Sequence, residues 1–363
     1  MKLTLFHSQR FDWPLLISTL LLISIGLLSL YSSSIGHNNF LNFQKQIIFA
    51  VLAIIFMFLA SFIDWRILRN DPYLIAVLYL LGCIGLAGLL FFAPEIRAVR
   101  GWYKVGPVSI DPIEFMKIVL IVLLAKYFSL RHTEMYRIRH ILLSGFYVLI
   151  PSVLIFLQPD LGRVLIISVL WLAVLLVSGI KLKSFLILIL VLLIITGVGW
   201  SFLLQDYQKE RILSFVLPQF EPLGAGWSSQ QARIAIGSGG LFGQGFAQGS
   251  QTQYGFLPEP QTDFIFSAIA EEFGLLGVSV VLILFLILLA RIVKIALNSQ
   301  TNFYRLFASG LAILLFLQVF IHIGVNVGIL PIIGIPLPLI SYSGSSLIFT
   351  CISFGIIHSI KSH

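Results

Sequence analysis

A carboxylate at the edge of an apolar run is costly to keep ionised unless it has a partner or a task. Asp263 stands at such an edge, in FLPEPQTDFIF, where a proline-punctuated, glycine-rich segment gives way to a long hydrophobic stretch. Glu259 precedes it and Glu271 and Glu272 follow, in a chain of which only 10% is charged, so acid-base chemistry is concentrated here. A second constellation is AVRGWYKVGPVSIDPIEFMK. Glu114 and Lys117 are three residues apart at the start of a helix and share a face. Either they neutralise each other, or Lys117 holds Asp263 ionised and oriented, an arrangement that lowers a carboxylate's pKa. Trp102 is either a boundary anchor, as most such tryptophans are, or a flat face for a sugar. Its neighbours Arg97, Arg100 and Lys104 make the loop basic, which suits an anionic head group or simple attraction to a lipid surface. In LQPDLGRVL, Asp160 and Arg163 are expected to pair with each other, with Gln158 and Asp160 as alternative vestibule residues. His322, alone in an apolar span, reads as a hydrogen-bonded interior residue. No cluster has the spacing of a zinc site, and Cys83 and Cys351, both within apolar runs, read as small packing residues without a disulfide.

The elements that must hold these side chains are membrane helices. With 363 residues, 58% of them hydrophobic, and a mean hydropathy of +1.01, the chain is too apolar for one soluble core. Its apolar runs are continuous rather than alternating, which selects helices over a barrel. They fall near 13–33, 44–63, 73–93, 112–130, 141–158, 162–180, 185–204, 263–290, 306–326 and 343–360. The fold expected is therefore an all-α polytopic membrane protein of about ten transmembrane helices, with a long outward loop before the eighth. The first run, from Trp13 to Leu30, is too long for an ordinary signal segment and reads as a retained span. The net charge of +8 would suggest nucleic acid in a soluble protein. Here Arg66, Arg69, Arg131, Arg137, Arg139, Lys181, Lys183, Arg291, Lys294, Arg305 and Lys361 mark alternate short connections, which the positive-inside rule places in the cytoplasm with both termini. No nucleic-acid partner is expected.

The outward loop, about 205–262, is long for a membrane connection and dense in glycine, from Gly224 to Gly255. Such segments approach a ligand or bilayer closely; GSGGLFGQG lacks the ending and the preceding strand of a nucleotide fingerprint, so a pliable interfacial loop is the competing reading. Pro331, Pro336 and Pro338 break any helix after the ninth span. A broken segment at membrane depth must be buried in protein or line a wet cavity, which predicts a polar vestibule at the outer end of the bundle.

Nearly end to end, from FDWPLL through RGWYKVGPVSIDPIEFMK, LQPDLG, YQKERILSFV, PLGAGWSSQQARIAIGSGGLFGQG and FLPEPQTDFIFSAIAEEFGLLG to GIPLPLISYSGSS, the chain resembles the SEDS family, the RodA/FtsW/SpoVE group, and most of all its rod-shape branch. The resemblance implies a single SEDS-type transmembrane domain over 1–363, in the bacterial inner membrane. It implies a glycosyltransferase that polymerises lipid II, the undecaprenyl-pyrophosphoryl disaccharide-peptide, for elongation and rod shape, beside a class B penicillin-binding protein and membrane lipids. It assigns the essential aspartate to Asp263 and family positions to Trp102, Glu114, Lys117 and Asp160. Arg100, Lys117, Arg211 or a divalent cation, Mg or Mn, would meet the pyrophosphate charge; the metal's ligands are unknown and no organic cofactor is implied. The chain departs from the family pattern at Asp111 to Glu114, at Ile332 to Gly334, at Ser343 and at His322. The alternative is a lipid II flippase or other transporter, with Glu114, Lys117 and Asp160 along its path.

Overall fold

A computed structural model describes residues 11–95, 99–106, 108–131, 138–202, 208–210, 213, 215 and 225–362. Eight of its helices are long and apolar enough to cross a membrane. They are α1 (Trp13–His37), α2 (Leu41–Phe62), α4 (Pro72–Phe92), α6 (Ile138–Phe156), α8 (Leu182–Phe202), α11 (Ile265–Leu297), α12 (Asn302–Val327) and α13 (Gly344–Ser362), with the short α3 (Arg66–Asn70) between α2 and α4. Two more complete the expected ten: α5 (Pro112–Ser129), which carries Glu114, Lys117 and Lys126, and α7 (Leu161–Val177). Their starts follow local chemistry. Asp12, Asp71, Asp111 and Asp160 each accept a backbone N–H of the first turn, and Pro14, Pro72 and Pro112 occupy early positions whose N–H would go unused.

The core lies between α5, α7, α11, α12 and α13, while α8 is almost wholly exposed and so faces lipid. Between α4 and α5 the connection folds into an antiparallel hairpin, β1 (Tyr103–Val105) with β2 (Val108–Ile110), an addition to the helical plan that three-residue strands leave no periodic signal for.

The glycine-dense region is not a pliable loop where it is described. It holds α9 (Ala225–Ser238) and the short α10 (Ser250–Gln253), and the chain between them docks on a break in α11. At that break Gly274 has φ 64° and ψ −162°. The backbone groups near the break are met from outside the helix: Leu275 N donates to Gly240 O at 2.9 Å, Leu276 N to Leu241 O at 3.2 Å, and Gln244 N to Glu271 O at 2.9 Å. Glycine here serves backbone-to-backbone approach rather than a phosphate. A Cβ on Gly274 would meet the nitrogen of Gly243 and lie 2.6 Å from Leu241 O. Gly274→Ala is therefore expected to cost roughly 3 kcal/mol, read as an earlier thermal melt of the detergent-solubilised protein; an unchanged melt would show that the break is not fixed by this contact.

At the opposite end of α11, Asp12 is fully buried and accepts from Arg291 Nε at 2.9 Å and Nη2 at 2.5 Å, and from Lys361 Nζ at 3.2 Å. Burial alone would raise its carboxyl, but the hydrogen bonds from Arg291, Lys361 and the Leu15 N–H outweigh it and hold Asp12 below the usual carboxylate range. These two ion pairs tie the start of α1 to the ends of α11 and α13.

Candidate active site

A cavity of about 1070 Å³ opens where the starts of α5, α7, α11 and α13 converge. Its wall carries Asp263, Glu259, Asp160, Asp111, Arg163 and Trp102. Four helix N-termini directed at one space supply a positive potential, which offsets part of the carboxylate charge and favours an anionic ligand. The volume exceeds the usual range of about 300–1,000 Å³ for small-molecule pockets. The same cavity is also lined by Val153, Phe156, Leu165, Val169, Ile195 and Trp200 of α6, α7 and α8, so polar and apolar, lipid-side walls belong to one continuous space.

The backbone of Asp263 is held on several sides, and its half-buried side chain lies on the cavity wall. Asn326 of α12 donates to Asp263 O at 3.0 Å, while its own Oδ1 accepts Ser267 N at 3.1 Å and Ser267 Oγ at 2.7 Å. The preceding turn is closed by Phe264 N and Thr262 N on Glu259 O, each at 3.2 Å. The proline-broken segment pins it from the other side: Ser341 Oγ donates to Thr262 O at 2.8 Å and Tyr342 N to Gln261 O at 2.9 Å. This segment does line the cavity, through Pro331, Ile333, Gly334 and Ser343, as the breaks in the sequence require. His322 is buried and its Nδ1 lies 2.8 Å from Ile335 O, which anchors the same segment.

Arg163 is the side chain that sequence reasoning underweighted. Its guanidinium bridges two helix caps, with Nη2 at 2.6 Å from Asp111 Oδ2 and Nε at 3.0 Å from Asp160 Oδ2. It also donates to Gly101 O at 3.4 Å and stacks over Trp102 at 4.9 Å from the ring centroid. Gly101 admits this approach, since a Cβ there would lie 2.7 Å from Arg163 Nη1. One arginine thus joins the hairpin loop, α5 and α7. Asp111 lies in the connection ahead of α5; burial pushes its carboxyl up to about 7, against the downward pull of the Arg163 guanidinium. The expected Asp160–Arg163 pair is present, but the longer link to Asp111 was carried only by the unusual aspartate in IDPIEF.

The remaining candidates separate from the cavity wall. Lys117 Nζ is 2.7 Å from Glu114 Oε2, both buried in the first turns of α5, so this pair takes the mutually neutralising arrangement. Arg100 is exposed and bound to Glu95 at 3.2 Å and Leu90 O at 3.2 Å. Arg97 and Arg211 lie outside the described residues. Of the acidic neighbours, Glu271 accepts Gln251 N at 2.6 Å and Thr252 N at 3.1 Å and so caps α10, while Glu272 meets Ser32 and Gln253 at the α1 seam. Both hold the glycine-rich segment in place rather than face the cavity. Among the described residues, no group of three histidine, cysteine or acidic side chains is arranged to hold a metal ion.

A model of the FtsW/RodA/SpoVE family, described as cell cycle protein, matches residues 12–363. The chain is 34% identical over 363 residues to the peptidoglycan glycosyltransferase MrdB of Escherichia coli strain K12, covering 100% of this chain and 96% of that protein. It is 34% identical over 363 residues to the stage V sporulation protein E of Bacillus subtilis strain 168, covering 97% of each. Among solved structures it is similar to a chain of a peptidoglycan synthase complex, with a TM-score of 0.84, 31% identity and coverage of 97% of this chain and 98% of that one. It is also similar to the rod shape determining protein RodA of Thermus thermophilus, with a TM-score of 0.72, 29% identity and 97% coverage of both.

Proposed function

The chain belongs to the FtsW/RodA/SpoVE family, and from that premise we propose that it is a peptidoglycan glycosyltransferase that polymerises lipid II for cell elongation and rod shape. The observation that carries the reading is Asp263 on the wall of one cavity that joins charged and polar residues at the helix starts to apolar residues beside lipid-facing α8. A lipid-linked sugar needs both at once. The apolar side accepts the polyprenyl chain, and the polar side takes the disaccharide and pyrophosphate.

In this reading Asp263 takes the proton of the 4-hydroxyl of one GlcNAc as its oxygen attacks the anomeric carbon of the other molecule's MurNAc. The bond from that carbon to the pyrophosphate oxygen breaks, undecaprenyl pyrophosphate leaves with the electron pair, and the anomeric centre inverts. The stable leaving group needs no proton, but its charge needs neutralising. Arg163 is the one cation on the cavity wall among the described residues, and both carboxylates already hold it. Converging helix starts therefore carry part of the task. A divalent cation, Mg or Mn, fits the remainder: the wall offers separate carboxylates rather than a closed cage, the setting in which such an ion takes most ligands from water and substrate phosphates. Glu259, beside Asp263, would hold it, and the ion would neutralise the departing pyrophosphate.

The basic connections at the other end of the bundle support an orientation with both termini in the cytoplasm of a bacterial inner membrane and the cavity facing outward, where the sugars are displayed. A class B penicillin-binding protein, which cross-links the product, is the proposed partner; the similarity to a chain of a peptidoglycan synthase complex supports it. The test is direct. Purified protein in liposomes, given labelled lipid II on the cavity side with and without divalent ions, is expected to form glycan chains. Transfer of lipid II across the bilayer with no new glycosidic bond would replace the enzyme by the flippase.

A further inference from the structure

At the end of the bundle remote from Asp263, a second cavity of about 180 Å³ is lined by Arg291, Lys294 and Lys361, by Asn298, Ser299 and Tyr304, and by Asp12. The two ion pairs account for Asp12, Arg291 and Lys361 but not for Lys294, Asn298 and Tyr304, and polymerisation accounts for none of them. Three cations face one carboxylate, an excess of two positive charges. Asp12 engages Arg291 and Lys361, which fixes those two side chains in place, while Lys294 stays exposed at the rim. The hydroxyl of Tyr304 and the amide of Asn298 add neutral donors around the same small space, while the Ser299 hydroxyl donates to Ile295 O at 2.7 Å.

The depth of this pocket in the bilayer points to its occupant. Trp13 follows Asp12 and is 55% exposed, the position of an interfacial tryptophan at head-group level. Val293 and Leu297 flank Lys294 on the last turns of α11 and are exposed, so apolar surface adjoins the basic rim. A volume below the roughly 300 Å³ of small-ligand pockets takes a head-group fragment. We propose that this pocket binds the phosphodiester head group of an anionic phospholipid, with the phosphate against Arg291, Lys294 and Lys361 and an acyl chain along Val293 and Leu297. Basic pockets between membrane helices recognise such lipids by this chemistry. Occupancy would brace the junction of α1, α11 and α13, at the far end of the helix that begins beside Asp263.

The test is native mass spectrometry of the full-length protein in detergent, titrated with phosphatidylglycerol or phosphatidylcholine. Retention of phosphatidylglycerol over phosphatidylcholine is expected, weakened about fivefold by Lys294→Gln. Lys294 is exposed, so this variant keeps the fold. Arg305→Gln, an exposed cation outside the pocket, should leave retention unchanged. Equal retention of both lipids, equal loss in the two variants, or displacement of phosphatidylglycerol by inorganic phosphate at comparable concentration would each overturn the assignment, the last by making free phosphate the ligand.

Discussion

Asp263→Asn protein is expected to make no detectable glycan from labelled lipid II, a loss of at least about 10²–10⁴-fold, the range a general base contributes. The substitution keeps size and shape while removing the negative charge and, with it, the capacity to take a proton. Structural damage is read separately by the thermal melt, and one contact that holds this residue runs through its carbonyl oxygen to Asn326, which the substitution leaves in place. The variant should therefore melt at the wild-type temperature and still retain lipid II. Normal polymerisation by Asp263→Asn would remove the carboxylate from the reaction. Normal binding and transbilayer movement without polymer, in both wild type and variant, would instead move the whole chain to the transport class.

Asp263 was visible in the sequence because its surroundings change character within a few residues, and composition exposes such an edge. The ten spans were legible for a related reason: a helix in lipid must satisfy its own backbone, so each writes a continuous apolar run. The Glu114–Lys117 pair was equally local, three residues on one helix face, and its two possible uses differed only in whether a third group lay nearer. Arg163 shows where such reading stops. Its strongest contact is with a residue 52 positions away, and nothing in the periodicity of α5 or α7 states that their first turns meet. The glycine-rich segment failed differently. Glycine permits close approach to a ligand, a bilayer or another backbone, and only the position of the break at Gly274 shows that the partner is α11.

Arg163→Gln is expected to be the most damaging substitution in the cavity wall apart from the base itself. The guanidinium is largely buried between two carboxylates, and removing one partner from a buried ionic cluster typically costs about 3–5 kcal/mol, because the charges left behind stay desolvated. Burial already pushes Asp111 up to about 7 with the arginine opposing it. Without that opposition Asp111 holds a proton at neutral pH. A carboxyl whose folded pKa lies above its ordinary value of 3.8 weakens the fold progressively as pH rises from the ordinary value to the folded one. Wild-type Asp111 already takes up its proton near pH 7, so the stability deficit of Arg163→Gln should grow as pH rises above about 7 and level off below it. Arg163→Lys keeps a charge but cannot reach Asp111, Asp160 and Gly101 in one planar fork, nor stack on Trp102 as well. It should fold, and its polymerisation should fall through a weaker hold on the substrate, seen as a raised KM with a smaller change in kcat, since the hairpin loop is released while Asp263 keeps its own anchors. Equal stability of Arg163→Gln and wild type above and below that pH would mean that the two caps do not depend on the arginine, and the hairpin would then need another tie to the cavity.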